Sequence, residues 1–350
     1  LVIMCLPQLW AECNLRCRIL FSVAIVTWTL AQSTAHATNS AVILMYHRFG
    51  EIGHPKTNIT VEQFDRHLDE LANPKYTILP VPEILAKLRA NIKLPERTIG
   101  ITIDDAFRSV YEIAFPKLRA RKMPFTLFVA TRAVDRKLSD YMTWEQIREL
   151  RDDGVTIGSQ THTHLHMAKH NDDANRKDIL ISNKRFTAEL GEAPTLFAYP
   201  YGEAGLSTMS VVRDMGFKFA FGQHSGVANT SSPSFFLPRF SFNESYSDDQ
   251  RFRLVANALP LPVSDVTPRN PLLEHNPPAF GFTVGAIIED TSRLNCYHSQ
   301  QGKVRIERLG SHRMEVRFNQ PFRFGRSRLN CTLPGPNNRW RWFGKQFVTK

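Results

Sequence analysis

The stretch "TIGITIDD", residues 98–105, decides the fold prediction. Its β-branched residues alternate with small ones, which is typical of a buried strand. The strand ends in two adjacent carboxylates, Asp104 and Asp105, and an unpaired buried acid costs much free energy. We therefore expect both aspartates to lie at the end of a sheet strand and to have a chemical role.

Similar apolar strands alternate with helical patterns along residues 41–223. Two of the helices open with capping-box spacing, Thr60 with Gln63 and Thr143 with Gln146. Strands that alternate with helices predict a parallel sheet, and this many repeats predict an α/β fold of the deformed (β/α) barrel type. In such barrels the carboxyl ends of the strands form the active face.

Composition indicates a globular protein, since 42% of the 350 residues are hydrophobic and 22% are charged. The formal net charge is +11, and the Lys and Arg residues are spread along the chain. No nucleic-acid recognition motif accompanies this charge. It therefore predicts solubility or attraction to an acidic cell-surface polymer, and no nucleic-acid partner.

The N-terminus has the pattern of a signal peptide. Basic residues precede the apolar stretch "ILFSVAIVTWTLA", and "AHA" at residues 35–37 supplies small residues for cleavage after Ala37. We expect residues 1–37 to be removed and the protein to be exported, to the periplasm or the cell exterior. The alternative is an uncleaved segment that anchors the protein to a membrane.

The rest of the chain divides at a proline-rich segment, residues 255–278, which we expect to be a linker. Residues 38–254 hold the barrel pattern. Residues 279–350 show short alternating segments that predict a small antiparallel, β-sandwich-like domain. Cys296 and Cys331 both lie there, and export predicts one disulfide between them, with two buried free thiols as the alternative.

The C-terminal segment "RWRWF", residues 339–343, alternates cations with aromatic residues. Alternation places Trp340 and Trp342 on one face of a strand. We expect both to be buried in a core, with stacking on sugar rings as the alternative. We do not expect this domain to be catalytic.

The stretch "GSQTHTHLHM", residues 158–167, places His162, His164 and His166 at alternate positions. Imidazoles together with the Asp105 carboxylate form a metal site of the open, catalytic kind, and a solvated histidine face is the alternative. A divalent ion there would acidify water and polarise a carbonyl. Asp104 could then act as the base that deprotonates the water.

The ordered motifs "TIDD" (102–105), "GSQTHTHLH" (158–166) and "FAYPYG" (197–202) resemble those of the polysaccharide deacetylase (NodB-homology) family, carbohydrate esterase family four. The resemblance covers about residues 41–245. It implies metal-dependent removal of N-acetyl groups from chitooligosaccharide, exopolysaccharide or peptidoglycan. The implied cofactor is a divalent metal, Zn first, with Co, Ni or Mn as alternatives, and the implied partner is an acetylated glycan.

By this resemblance Asp104 is the catalytic base, Asp105 is a metal ligand, and the backbone N–H of Tyr201 stabilises the oxyanion. We expect three further residues of the matching motifs to bind substrate: His47, Tyr199 and Pro200.

The second motif departs from the family pattern His-[Ser/Thr]-x-x-His. Its first histidine falls on Gln160 and its second on His164. We expect His164 to be a metal ligand and His166 to replace the missing one. His162 and Gln160 are the competing candidates.

Two more departures concern the base and the acid. The usual Arg before the third-motif proline is Ala198, so we expect another cation, Arg239, to orient Asp104 or to contact the substrate. The usual late histidine acid is missing, and His224 is the candidate that would protonate the leaving amine; a loop histidine without such a role is the alternative.

These departures keep two other functions open. A carbohydrate-binding pseudoenzyme would explain the missing His and Arg. An O-acetyl esterase or an amidase would use the same hydrolytic centre on a different substrate.

Overall fold

The structure, a computed structural model, describes residues 39–350. The predicted signal peptide lies outside these residues. Within 39–350 no helix is long and apolar enough to cross a membrane.

The predicted alternation of strands and helices is present in the first part of the chain. In residues 39–254 the strands are, in chain order, β1 (Ser40–Tyr46), β2 (Arg48–Phe49), β3 (Asn58–Ile59), β4 (Thr77–Ile78), β5 (Thr98–Asp104), β6 (Thr126–Val129), β7 (Thr156–Ser159), β8 (Leu196–Ala198), β9 (Phe219–Phe221), β10 (Ala228–Asn229) and β11 (Phe240–Ser241). The helices are α1 (Val61–Leu71), α2 (Val81–Arg89), α3 (Phe115–Ala120), α4 (Thr131–Asp135), α5 (Trp144–Asp152), α6 (Asp172–Leu190), α7 (Leu206–Asp214) and α8 (Asp249–Ala256).

Helices α1 and α5 begin where the sequence predicts. Thr60 and Gln63 form the reciprocal hydrogen bonds of a capping box, and so do Thr143 and Gln146. Each box pairs backbone N–H groups that the first helical turn leaves without partners. The capping predictions are confirmed.

The central sheet has the strand order β1-β5-β6-β7-β8-β9, and each pair of adjacent strands in this order is parallel. Residues 237–241 connect the two ends. Leu237 forms a parallel bridge with Phe221 of β9, and β11 pairs in parallel with β1. The sheet therefore curls into the deformed (β/α) barrel expected from the sequence, and this segment closes it.

The second sheet uses the remaining strands. They are β12 (Leu259–Pro260), β13 (Val263–Thr267), β14 (Phe280–Val284), β15 (Asn295–His298), β16 (Gly302–Leu309), β17 (Arg313–Arg317), β18 (Gly325–Pro334) and β19 (Trp340–Thr349). Their order is β12-β19-β18-β15-β16-β17-β14-β13. All pairs are antiparallel except β12 with β19.

This sheet folds over its own core. Phe280 of β14 contacts Phe347 of β19, with ring centroids 5.3 Å apart, although several strands separate them in the sheet order. Cys296 and Cys331 are paired directly across β15 and β18 and form a disulfide. The predictions of a sandwich-like domain and of this disulfide are confirmed.

The structure corrects the extent of the predicted linker. Helix α8 continues to Ala256, and β12 and β13 form the two edges of the second sheet within residues 255–278. Proline cannot donate a ladder hydrogen bond, but an edge strand has one side that needs no partner. Pro260 is therefore compatible with the edge strand β12, although the proline content of this segment had predicted a linker.

Contacts between the barrel and the second sheet are close. The Trp342 ring packs edge-on against Phe240 of β11, with centroids 5.2 Å apart. Gly344 lies so near the barrel that a Cβ there would be 1.8 Å from the carbonyl oxygen of Ser225. Trp340 and Trp342 are half-buried rather than buried, because they lie where the sheet meets the barrel and not inside the sandwich.

Candidate active site

The two aspartates at the end of β5 have different partners. Asp104 is wholly buried, and the Arg239 guanidinium donates to both of its oxygens, Nη1 to Oδ1 at 2.6 Å and Nη2 to Oδ2 at 2.8 Å. Arg239 also donates to Thr102 Oγ1 and to the carbonyl of Gly222, both at 3.1 Å. This network fixes the orientation of the Asp104 carboxylate.

Arg239 reaches Asp104 because residues 237–241 close the barrel. Its neighbours Leu237 and Phe240 pair with opposite ends of the sheet, which places Arg239 at the seam. The guanidinium lies over the rings of Phe128 and Phe221, at 5.4 and 5.5 Å from their centroids. Arg239 thus supplies the cation that is missing at Ala198.

Asp105 lies in a left-handed turn with φ of 77°. Its backbone N–H donates to the carbonyl of Phe128 at 3.0 Å and to Gln160 Oε1 at 3.1 Å. Its Oδ1 lies 3.3 Å from His164 Nε2. Burial raises the pKa of Asp105, but His164, His47 and Arg48 together leave that pKa lowered. Burial lowers the pKa of His164, but Asp105 and Asp104 together leave it raised.

Asp105 and His164 fit two positions of a metal site. Asp105 Oδ1 is buried, and apart from the ion pair with His164 it has no partner in the described chain. Two ligand atoms that each lie about 2.0–2.1 Å from a tetrahedral Zn²⁺ are about 3.3–3.4 Å apart. The observed separation of 3.3 Å between the two ligand atoms matches this spacing.

The other two histidines of the motif have different partners. His162 Nδ1 lies 2.8 Å from Thr131 Oγ1, and His166 Nδ1 lies 2.8 Å from Glu203 Oε2. In residues 39–350 no three His, Cys, Asp or Glu side chains converge closely enough to hold a metal ion. The structure therefore brings Asp105 and His164 together and does not bring a third ligand to them.

Gln160, at the position of the missing histidine, is wholly buried. Its Oε1 accepts the Asp105 N–H, while its Nε2 has no partner in the described chain. The unpaired atom is a donor and cannot bind a metal ion. In this orientation Gln160 holds the Asp105 turn, and its oxygen is engaged by the Asp105 N–H.

The Tyr201 turn lies beside these histidines. Tyr201 has φ of 60°, and its ring stacks on His166 at 4.0 Å and meets His164 edge-on at 4.6 Å. Gly202 has φ of 69°, and a Cβ there would lie 2.6 Å from the backbone nitrogen of Gln223. Only glycine fits this position, so the turn that orients the Tyr201 peptide has a fixed shape.

The structure corrects three of the predicted substrate contacts. Tyr199 is wholly buried and its hydroxyl donates to the carbonyl of Phe235, so its role is structural. Pro200 is buried in the same turn. Arg239 is wholly buried and its side chain orients Asp104, so it cannot contact a substrate.

His47 follows β1, and its Nε2 lies 4.0 Å from Asp104 Oδ2. Its imidazole lies next to Asp104, and its Nδ1 has no hydrogen-bond partner among the described residues.

His224 lies elsewhere. It lines a cavity of about 440 Å³ together with Phe236 and Lys345, and neither Asp104 nor Asp105 lines that cavity. Burial lowers the pKa of His224 to about 3, so the imidazole is neutral near pH 7, whereas a general acid needs the imidazolium form. The prediction that His224 is the acid is not supported by this placement.

Arg326 of β18 is a site residue that the sequence did not reveal. Its Nη1 donates to the carbonyl of Tyr201 at 2.6 Å, and its Nε lies 3.6 Å from Glu203. The contact spans 125 residues and joins the second sheet to the barrel. No local sequence pattern around Arg326 predicts this contact.

Comparisons with known proteins agree with this architecture. Residues 91–220 match the family model described as polysaccharide deacetylase. The poly-beta-1,6-N-acetyl-D-glucosamine N-deacetylase of Staphylococcus aureus is 25% identical over 233 residues, which cover 59% of this chain and 80% of that protein.

Two solved structures share the fold. IcaB from Ammonifex degensii is 27% identical, with a TM-score of 0.56, and the match covers 63% of this chain and 97% of that one. The Streptococcus pyogenes deacetylase PplD, solved in complex with acetate, is 21% identical, with a TM-score of 0.56, over 59% of this chain and 94% of that one. The barrel of this chain is therefore similar in sequence and fold to proteins of the polysaccharide deacetylase family, whose model matches residues 91–220.

Proposed function

We propose that this protein is a metal-dependent hydrolase that removes N-acetyl groups from glycan chains containing N-acetylglucosamine. One observation carries the proposal: adjacent carboxylates have separate partners, Asp104 with Arg239 and Asp105 with His164. Hydrolysis of an amide needs both a base for water and an electrophile for the carbonyl. This pair of aspartates supports both roles.

The relatives favour an exopolysaccharide substrate. The Staphylococcus aureus protein is named for poly-beta-1,6-N-acetyl-D-glucosamine, and its similarity extends over 80% of its length. We therefore propose a polymeric N-acetylglucosamine glycan as the first substrate to test, with chitooligosaccharide and peptidoglycan as further candidates.

Asp105 and His164 would hold the metal ion. When bound, a divalent ion such as Zn²⁺ would polarise the scissile carbonyl and acidify the attacking water. His166 is the candidate for a third position, because Glu203 engages its Nδ1 and such a carboxylate orients an imidazole that binds metal through its other nitrogen.

The remaining steps use groups of the chain itself. Asp104 takes a proton from water as the oxygen bonds to the acetyl carbon, and Arg239 keeps the carboxylate aligned. The Tyr201 N–H donates to the oxygen that becomes negative. The carbon–nitrogen bond then breaks, and His47 supplies the proton that the leaving amine needs. The products are acetate and a glucosamine unit.

Export remains part of the proposal. The Cys296–Cys331 disulfide supports it, because such bonds persist mainly in oxidising compartments. The signal-peptide interpretation of residues 1–37 would place the protein in the periplasm or outside the cell.

A carbohydrate-binding pseudoenzyme is the second candidate. Gln160 favours this candidate, because the family motif has a metal-ligating histidine at this position. The Gln160 side chain instead holds the Asp105 turn. The described chain also brings no third ligand to Asp105 and His164.

An acetate-release assay distinguishes the deacetylase from the carbohydrate-binding pseudoenzyme. We would strip the purified protein with a chelator, add Zn²⁺, Co²⁺, Ni²⁺ or Mn²⁺, and assay N-acetylglucosamine oligomers. The enzyme proposal requires acetate release that the chelator abolishes and a metal restores. Glycan binding without acetate release under any of these metals would favour the pseudoenzyme.

A further inference from the structure

A groove with a volume of about 770 Å³ runs between residues 241–254 of the barrel and the barrel-facing side of the second sheet. The barrel contributes Tyr246 and Arg251 to it. The sheet contributes Tyr297 and Trp340. Both parts of the chain are therefore needed to form this surface.

Strand alternation builds the sheet wall of the groove. Arg328, Asn330 and Thr332 of β18 line it, whereas Cys331 and Leu333 are buried in the sandwich core. Successive residues of a strand face opposite sides, so one strand presents a polar wall while it completes an apolar core. The polar face is thus a regular feature of the sheet.

Aromatic side chains line the groove with their rings partly free. Tyr246 is 56% exposed, Tyr297 is 45% exposed, and Trp340 is half-buried. Aromatic rings of this kind offer a flat apolar surface next to polar groups, which suits a sugar ring with an apolar face and hydroxyl edges. The Oδ1 of Asn330 accepts from Trp342 Nε1 at 3.2 Å, which leaves its NH₂ group to bind a hydroxyl.

Two arginines in the groove have unused donors. These are Arg251 and Arg328. No hydrogen bond within residues 39–350 engages either guanidinium; the Nε atoms are buried, and the Nη atoms are the donors that a ligand in the groove can reach. No carboxylate in that part of the chain forms an ion pair with either guanidinium. A buried donor without an acceptor is unfavourable, and arginine can only donate. Asp248 also lines the groove and interacts electrostatically with Arg251, so the free donors of Arg328 contribute most to a preference for a ligand with carbonyl oxygens.

One lining residue of the groove is linked to the candidate active site through a hydrogen-bonded arginine. Gln223 lines the groove and accepts a hydrogen bond from Arg326 Nη1 at 3.2 Å. The same Nη1 donates to the carbonyl of Tyr201 at 2.6 Å. One arginine thus connects this residue of the groove with the Tyr201 turn.

We propose that this groove binds the neighbouring sugar units of an N-acetylated glycan chain while one unit reacts at Asp104. The rings stack on Tyr297 and Trp340, and acetamido carbonyl oxygens accept from Arg328 and Arg251. The second sheet is therefore part of the substrate site and selects long, acetylated chains. This inference rests on the proposed deacetylase function.

The test compares a dimer and a hexamer of N-acetylglucosamine. We expect Tyr297→Ala and Arg328→Gln each to reduce the ratio of kcat/KM for hexamer over dimer about tenfold. Arg305→Gln is the matched control, because Arg305 is exposed on β16 of the same sheet and does not line the groove. It should keep the wild-type ratio.

Binding provides a measurement that does not depend on turnover. Hexamer affinity is measured with Asp104→Asn and with the same variant carrying Arg328→Gln; the second change should raise Kd about tenfold. A glucosamine hexamer should bind more weakly than the acetylated one. If wild type releases acetate but neither groove variant changes the hexamer preference or Kd, the groove proposal is overturned and the deacetylase proposal stands. If no acetate is released, the deacetylase proposal fails, and the binding measurement still decides the groove.

Discussion

Arg239 and Asp104 form a bidentate ion pair that is completely shielded from solvent, although 135 residues separate them in the chain. Arg239 lies in the segment that closes the barrel, next to β11, which pairs with one edge of β1. Asp104 ends β5, which pairs with the other edge of β1. The same contact therefore completes the fold and orients the proposed base.

We expect Arg239→Leu to lower the free energy of unfolding by about 3–5 kcal/mol, because it leaves a buried carboxylate without a counter-charge. Urea denaturation measures this. The control is the double variant with Asp104→Leu, which removes both charges and should recover most of the loss. A cost below about 1 kcal/mol for Arg239→Leu would contradict the buried pair.

The histidines of the second motif should differ in metal binding. His164→Ala removes a nitrogen that lies 3.3 Å from Asp105 Oδ1, and we expect it to abolish stoichiometric Zn²⁺ binding. His162→Ala is the matched control, since His162 contacts Thr131 instead, and it should retain the metal. Metal content after dialysis, measured by atomic absorption, gives the comparison. The opposite ranking would move the metal site to His162.

Removing the disulfide should destabilise the second sheet without disturbing the site. Cys331→Ser opens a bond between residues 35 apart in sequence, and we expect a loss of about 2–4 kcal/mol. Calorimetry of the oxidised protein should show a lower Tm, while metal content stays at the wild-type value. An unchanged Tm would show that the bond does not stabilise the domain.

Acid should destabilise the barrel through His67. This imidazole is stacked on Phe252, its Nε2 donates to the Ser247 carbonyl, and its Nδ1 accepts from the Tyr46 hydroxyl. Burial lowers its pKa to about 4. Between pH 6.5 and 4 the unfolded chain binds the proton and the folded protein does not, so stability falls as pH falls. The loss attributable to His67 reaches about 3 kcal/mol.

The measurement for His67 is the pH dependence of urea denaturation from pH 7 to pH 4. We expect His67→Gln to show a shallower decline than wild type in this range, because glutamine does not titrate. Equal slopes for the two proteins would rule out a depressed pKa at His67.

Local patterns predicted the barrel well. The capping boxes at Thr60 and Thr143 and the β-branched alternation of β5 depend on neighbouring residues, which the sequence displays directly. The second sheet was predicted only as short alternating segments within residues 279–350, because inward positions such as Ser327 and Cys331 of β18 are weak apolar signals.

The site was only partly predictable for a different reason. Asp105 and His164 follow from family motifs, but the role of Arg239 depends on barrel closure and that of Arg326 on how the second sheet docks. The orientation of Gln160 follows from the turn at Asp105. Such contacts depend on three-dimensional packing, which leaves no periodic signal in the sequence.

The central claim is that Asp104 is the base of a glycan deacetylase. The most direct measurement is acetate release from an N-acetylglucosamine hexamer by Zn²⁺-loaded wild type and by Asp104→Asn, with bound metal measured in both. We expect wild type to release acetate, and the variant to lose at least about a hundredfold in kcat while it retains Zn²⁺ at Asp105 and His164. Near-normal acetate release by a metal-loaded Asp104→Asn variant would contradict the account.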